Sequence, residues 1–252
     1  MNQEMREKLN NLFEGVDNNM HITDPEWVDI VANFSWGETA GESKLTEKEQ
    51  MLCILSALLG CQGMGEFRNM LHAALNRGID PVAVKEVIYQ GTAYLGIGRI
   101  YDFLIAANQI MEQHGITLPL APQATVKEET RFEGGLAKQV ALFGPGMKKQ
   151  QTDAPILRRK INRWLADNCF GDYYTRNGLN DQEREMVTFC FILAQGGCDN
   201  QLCGHTAGNF GVGNDKEKLY SIVEQCMPYI GYPRSLNAMN IIDEVAKTIE
   251  NN

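Results

Sequence analysis

The chain has 252 residues, 44% of them hydrophobic, 22% charged and 8% aromatic, which is enough apolar material for one large core or two modest ones. Its 32 acidic residues outnumber the 23 basic ones, and a formal charge of -9 argues against the basic footprint that nucleic-acid binding needs. No apolar run reaches the roughly 18 residues of a membrane span. Met1-Asn-Gln-Glu-Met-Arg-Glu-Lys8 lacks the apolar centre of a secretory signal. The seven cysteines, odd in number and scattered, point to a reducing cytoplasm rather than to a disulfide scaffold.

In chain order the pattern predicts helices and no strands. Residues 46–59 are apolar with helical spacing, and Gly60 interrupts them. A second helix follows over about 64–77 and closes near Gly78. Asp80-Pro81 supplies an N-cap and a proline at the first helical position, opening a helix that runs to Gly96. From Thr125 to Gly144 the pattern reads as one helix interrupted by Gly134-Gly135. Asp153-Ala-Pro155 begins another, with Leu157, Ile161, Trp164 and Leu165 at helical spacing, and the run Arg158-Arg159-Lys160 forms a solvated face. Phe170 to Leu179, with its aromatics, an arginine and two glycines, reads as a loop that is either functional or a packed connector. Helices over 180–195 and 199–211 follow, separated by Gly196-Gly197. Asn214, with Glu217 three residues on, reads as a capping box for a helix that reaches Gly231 and is kinked near Pro228. Pro233-Arg234 opens the last helix.

This order is written twice. Gly78 and Gly96 match Gly213 and Gly231 at one offset of 135 (213 − 78 and 231 − 96), and Arg99 matches Arg234. Trp36-Gly37-Glu38 matches Phe170-Gly171-Asp172, and Leu45-Thr-Glu-Lys-Glu49 matches Leu179-Asn-Asp-Gln-Glu183, at an offset of 134 (170 − 36). Order and spacing kept over so much chain imply two copies of one helical unit, residues 1–120 and 121–252, related by a pseudo-two-fold axis in an all-α fold.

On a helix, Cys198, Gln201 and His205 stand at i, i+3 and i+7 and share one face. A cysteine and a histidine on one stripe can serve as nucleophile and base. Cys198 also follows Gly196-Gly197, near a helix start whose dipole favours a thiolate. The plainer alternative is a buried thiol and a core histidine. Cys198, Cys203 and His205 make a poor zinc set, because Cys203 diverges from the other two, and no metal or cofactor is expected. Cys53, Cys61, Cys169, Cys190 and Cys226 read as core.

Several segments resemble the carboxymuconolactone decarboxylase family, relatives of the AhpD-type alkylhydroperoxidases. They are Arg131-Phe-Glu-Gly-Gly135 with Leu142-Phe-Gly144, Gly171-Asp172-Tyr-Tyr-Thr-Arg176-Asn-Gly-Leu179, Gln201-Leu-Cys-Gly-His205 and Tyr229-Ile-Gly-Tyr-Pro-Arg234, together with Glu66-Phe67 and Gly78 to Gly96 in the first copy. The resemblance implies about six helices per unit and a homo-oligomer, either a trimer of two-unit chains or a dimer. The AhpD-like branch carries a Cys-x-x-Cys pair and a histidine on this helix; Cys198 matches the first cysteine, but Gln201 stands at the second, so a peroxide-reducing cycle would need a resolving thiol from elsewhere. The decarboxylase-like branch carries a Glu and a His at i and i+4. Here those two are split, with Gln201 and His205 in the second copy and Glu66 and Met70 in the first. Either the first copy is structural, or Glu66 and His205 meet in one composite site. The resemblance implies a small anionic substrate, a lactone or keto acid, with His205 as proton donor and with Arg176 and Tyr174 in the aromatic loop binding the substrate. The alternatives are a thiol peroxidase built on Cys198 and a non-catalytic helical assembly protein.

Overall fold

The computed structural model describes residues 3–16 and 19–251, so Met1 and Asn2 of the N-terminal stretch lie outside it. The described residues form helices joined by loops and contain no strand. The first unit consists of α1 (Gln3–Leu12), α2 (Met20–Thr23), α3 (Pro25–Ala32), α4 (Glu47–Cys61), α5 (Met64–Asn76), α6 (Pro81–Leu95) and α7 (Ile97–Gln113). The second consists of α8 (Arg131–Phe143), α9 (Gly146–Thr152), α10 (Ile156–Trp164), α11 (Asp181–Gln195), α12 (Asp199–Gly211), α13 (Lys216–Ile230) and α14 (Tyr232–Glu250). In each unit one helix widens into π geometry at its C-terminal end: α3 continues as Asn33–Thr39 and α10 as Leu165–Tyr174. Each unit therefore has more helices than the six expected, the surplus being short N-terminal pieces.

The repeat keeps strict register in the last helices of each unit. Met64 and Asp199, Pro81 and Lys216, and Ile97 and Tyr232 open equivalent helices, 135 residues apart (199 − 64). The central pair, α4 and α11, starts with matching capping boxes: Thr46 accepts from the Glu49 N–H, and Asn180 accepts from the Glu183 N–H. These two helices are buried on all sides over Met51–Leu59 and Met186–Ala194, which is why apolar residues extend beyond one stripe there. They cross closely at Gly60, where a Cβ would stand 2.7 Å from the Ala194 Cβ and 2.8 Å from the Phe191 carbonyl oxygen. One hydrophobic cluster takes residues from both copies, Leu55 and Phe67 beside Phe189 and Ile222, so the units share a core rather than holding one each.

Three local expectations are corrected. The segment 121–130 is not helical, and the helix that follows starts at Arg131 and runs unbroken through Gly134-Gly135. A Cβ at Gly135 would lie 1.8 Å from the Ala166 carbonyl oxygen, and one at Gly171 would lie 2.4 Å from the Arg131 carbonyl oxygen. Both glycines thus serve backbone-to-backbone packing of α8 on Leu165–Tyr174. The expected loop Phe170–Leu179 is helical as far as Tyr174. The N-cap of α13 is Asp215, whose carboxylate accepts from the Lys218 N–H, while Asn214 is buried and donates to the Gln182 carbonyl and to Asn209.

Candidate functional site

The site is built on α11 and α12. Glu185 sits one turn inside α11 with a fully buried side chain, and its Oε2 lies 2.9 Å from Nδ1 of His205. The two helices are locked in register by Asn209, whose amide donates to the carbonyls of Glu185 and His205. Gly208 makes room for the carboxylate: a Cβ there would stand 2.4 Å from Glu185 Oε2 and 2.9 Å from the Phe143 ring.

The other carboxylate oxygen, Oε1, accepts from the Tyr174 hydroxyl at 2.9 Å. Tyr174 accepts in turn from Tyr94 at 2.9 Å and pairs with Thr188 at 2.6 Å. Because the Tyr174 proton goes to Glu185, Thr188 is the donor in its pair, and Thr188 accepts from the Gln90 amide at 2.8 Å. Gln90 accepts from Arg184 at 2.7 Å, and Arg184 also reaches Glu86 at 3.2 Å. The thiol of Cys169 lies 3.6 Å from the Tyr94 hydroxyl. Burial drives both phenols well above the usual tyrosine range and pushes the Cys169 thiol up to about 12, so near neutral pH all three are protonated.

A Glu185 carboxylate beside Nδ1 selects the tautomer with the proton on Nδ1 and leaves Nε2 to exchange protons. Nε2 has no protein partner among the described residues. Phe143 and Tyr94 set their ring edges against the imidazole, at centroid distances of 5.5 and 5.4 Å. The side chain keeps 13% exposure, so the imidazole is shielded but not sealed off. This is a carboxylate-oriented imidazole in an apolar, phenol-lined niche, able to accept or deliver one proton.

The helix repeat gives the niche a counterpart in the first unit. Tyr94 on α6 covers His205, and Tyr229, its equivalent on α13, donates to Met70 Sδ at 3.7 Å, Met70 being the His205 equivalent. Each unit therefore lends a tyrosine to the other's niche, as a pseudo-two-fold axis requires. At the positions of Glu185, Thr188, His205 and Tyr174 the first unit has Met51, Ile54, Met70 and Ala40. All four of these positions are apolar.

The structure brings together only part of the residues singled out in the sequence. His205 and Tyr174 belong to one network, Tyr174 through its hydroxyl in a buried position. Cys198 is the N-cap of α12 with φ -129°, outside the helix proper, so it leaves the face it was expected to share with His205. It is half-buried against the main core, and among the described residues no hydrogen bond joins it to His205. Gln201 and Cys203 are exposed. Glu66 does not meet His205; it accepts from Asn69 at 2.8 Å, and its charge adds to burial in raising the Tyr229 phenol. Arg176 is committed elsewhere. Its guanidinium holds Glu86 through Nε at 3.0 Å and Nη2 at 2.9 Å and lies over the Tyr89 ring. Glu185, Thr188, Tyr94 and Cys169 were missed as site residues. A readable signal existed: aligning the copies places Glu185 against Met51 and His205 against Met70, so the acid and the base enter the core together.

Among the described residues no three His, Cys, Asp or Glu side chains converge as a metal set, and no helix is long and apolar enough to cross a membrane.

Comparison with known proteins agrees with the repeat. The carboxymuconolactone decarboxylase family profile matches residues 25–109 and again residues 159–244. A 4-carboxymuconolactone decarboxylase of Acinetobacter baylyi is 25% identical over 125 residues, covering 49% of this chain and 92% of that protein. A solved structure described as a gamma-carboxymuconolactone decarboxylase subunit, from Burkholderia xenovorans, shares the fold at a TM-score of 0.57 and 15% identity, with 97% of each chain covered. The chain therefore belongs to the carboxymuconolactone decarboxylase family, as two tandem copies of the family's all-α unit.

Proposed function

We propose that the second unit carries a cofactor-free decarboxylase site for a small anionic lactone or keto acid, with His205 as the proton donor. The observation that carries this reading is the Glu185–His205 pair at 2.9 Å, backed by Tyr174 on the second carboxylate oxygen and absent from the apolar niche of the first unit. In the reaction the bond to the departing carboxylate breaks, carbon dioxide leaves, and the electron pair delocalises into the neighbouring carbonyl. The imidazolium, stabilised by Glu185, delivers the Nε2 proton to carbon and regains one from solvent. Once protonated on both nitrogens it is also a cation facing the substrate's charge. That role does not fall to Arg176, which Glu86 occupies. The relay ends on an imidazole and not on a thiol, and this favours acid–base chemistry over peroxide reduction at Cys198.

The test offers purified protein a carboxymuconolactone and follows carbon dioxide release. Substituting His205→Ala is expected to lower turnover by about 10²–10⁴-fold, whereas Cys198→Ser leaves it near the parent rate. Turnover that survives His205→Ala removes the proposal. Peroxide consumption that disappears with Cys198→Ser would replace it with the thiol reading.

A further inference from the structure

A cleft of about 430 Å³ lies between α6 and α7 of the first unit, the link to the second unit and Arg176, away from His205. Its polar lining comes from Lys85, Glu86, Tyr89, Asn108, Glu112 and Arg176, and the link between the two units, Leu118–Gln123, forms an apolar wall. Lys85 and Tyr94 stand nine residues apart on α6, so the cleft is about 13 Å along that helix from the His205 niche.

Lys85 is unusual here. It is only 7% exposed. Its ammonium donates to the Asn108 side-chain carbonyl and faces the Tyr89 ring at 6.0 Å. Among the described residues no carboxylate pairs with it. Glu86, the nearest acid in sequence, is held by Arg176 and Arg184, and Glu112 is exposed on the rim. Burial lowers the Lys85 pKa, and no acid offsets that effect. A buried ammonium with three donors and one neutral acceptor is left uncompensated.

The second unit shows what is missing. At the positions of Lys85 and Asn108 it has Tyr220 and Asp243, whose phenol and carboxylate bond at 2.9 Å, and Lys216 pairs with that carboxylate at 2.8 Å. In the first unit Lys85 stands where the second has the phenol, an amide, Asn108, stands where it has the carboxylate, and the space in front of Lys85 is open.

We propose that this cleft is a second binding site, which takes a small carboxylate whose anionic head meets Lys85 and whose apolar or aromatic body lies against Tyr89 and the Leu118–Pro122 wall. The Glu112 carboxylate on the rim limits the ligand to one anionic head directed inward.

The test is calorimetric titration of the full chain with sodium benzoate, and with benzamide as a neutral analogue of the same shape, at fixed ionic strength. Saturable benzoate binding is expected to weaken by about tenfold or more in Lys85→Met, since a charge-assisted hydrogen bond is lost. Asn108→Asp, which restores the counter-ion of the second unit, is expected to weaken it as well. His205→Ala should leave it unaltered, which separates this site from the one proposed for catalysis. Absence of saturable benzoate binding to the parent, equal binding of benzamide, or benzoate binding that is indifferent to both Lys85→Met and Asn108→Asp overturns the proposal. Binding lost in His205→Ala instead would place the carboxylate in the catalytic niche.

Discussion

Gly208 tests whether the Glu185–His205 pair is the working part of the molecule. A methyl group at Gly208 would stand 2.4 Å from Glu185 Oε2, whereas ordinary contact begins near 3.4 Å, so the oxygen must retreat by about 1 Å (3.4 − 2.4). The carboxylate is the end of a side chain and can move, which spares the backbone. It cannot move without stretching the 2.9 Å bond to His205 past about 3.6 Å, where no hydrogen bond remains. Losing a hydrogen bond to a charged group costs about 1.5–3 kcal/mol, and alanine in a helix returns about 1 kcal/mol over glycine. The net loss is about 0.5–2 kcal/mol, a fall in Tm of roughly 1–8 °C for a chain of this size. Turnover should fall further, by about tenfold or more, because the imidazole loses its orienting partner. Gly204, on the same helix, faces open space, with nothing within 4 Å of where a Cβ would stand, so Gly204→Ala is the control and should stabilise. The assays are a thermal melt and carbon dioxide release on both variants. A Gly208→Ala protein that melts no lower than the parent and turns over at the parent rate refutes the assigned role of Glu185.

Three further outcomes are expected. Burial raises the Glu66 carboxyl above its usual value. A raised group contributes stability that is present below its unfolded pKa and lost as pH rises through the folded one, so Glu66→Gln should melt higher than the parent at pH 7 and not at pH 4; equal melts at pH 7 contradict this. His72, 2.9 Å from His114, has its pKa lowered first by burial and then by His114 and Arg68. Its contribution is present above the unfolded value near 6.5 and lost as pH falls, so a parent melt should drop between about pH 7 and 5 more steeply than that of His72→Asn, and parallel curves would dismiss the effect. Finally, Ile30 on α3 and Trp164 on α10, equivalent in the repeat, both expose apolar side chains, and Ile156 and Leu157 are exposed on α10 as well. The same face shown twice suits association of like chains. Sedimentation should find the parent above its 28.2 kDa chain mass and Leu157→Glu with Ile30→Glu shifted towards it; a monomeric parent sinks the idea.

The elements that were legible from sequence are those whose punctuation is local. Asp80 before Pro81 and the glycines ending α6 and α13 each satisfy a helix end with neighbouring residues, so their meaning survives without tertiary context. The glycines at 135 and 171 carry the same letter for a different reason. They admit a second backbone, and from sequence they read as a helix break and a loop residue. Arg176 shows the same limit for charge. An arginine in an aromatic segment is a sound candidate for an anion clamp until Glu86, ninety residues earlier, is seen to hold it.

The site follows a related logic. Spacing on one helix singled out His205, but what makes it an acid–base group lies on α11 and on the other unit's α6. Glu185 and Tyr174 replace apolar residues of the first copy, and each such change would be costly if made alone: a buried carboxylate without His205 and Tyr174 is uncompensated, and a buried phenol without Glu185 lacks its acceptor. The polar positions of the second niche therefore stand or fall as a group, and Met51, Ile54 and Met70 are their consistent apolar counterparts. The first unit's part in that niche is Tyr94, a partner for Tyr174 and a wall for His205. On the proposed function the first copy serves the second through Tyr94 and not through Glu66, so substitution at Tyr94 should change turnover whereas substitution at Glu66 should not.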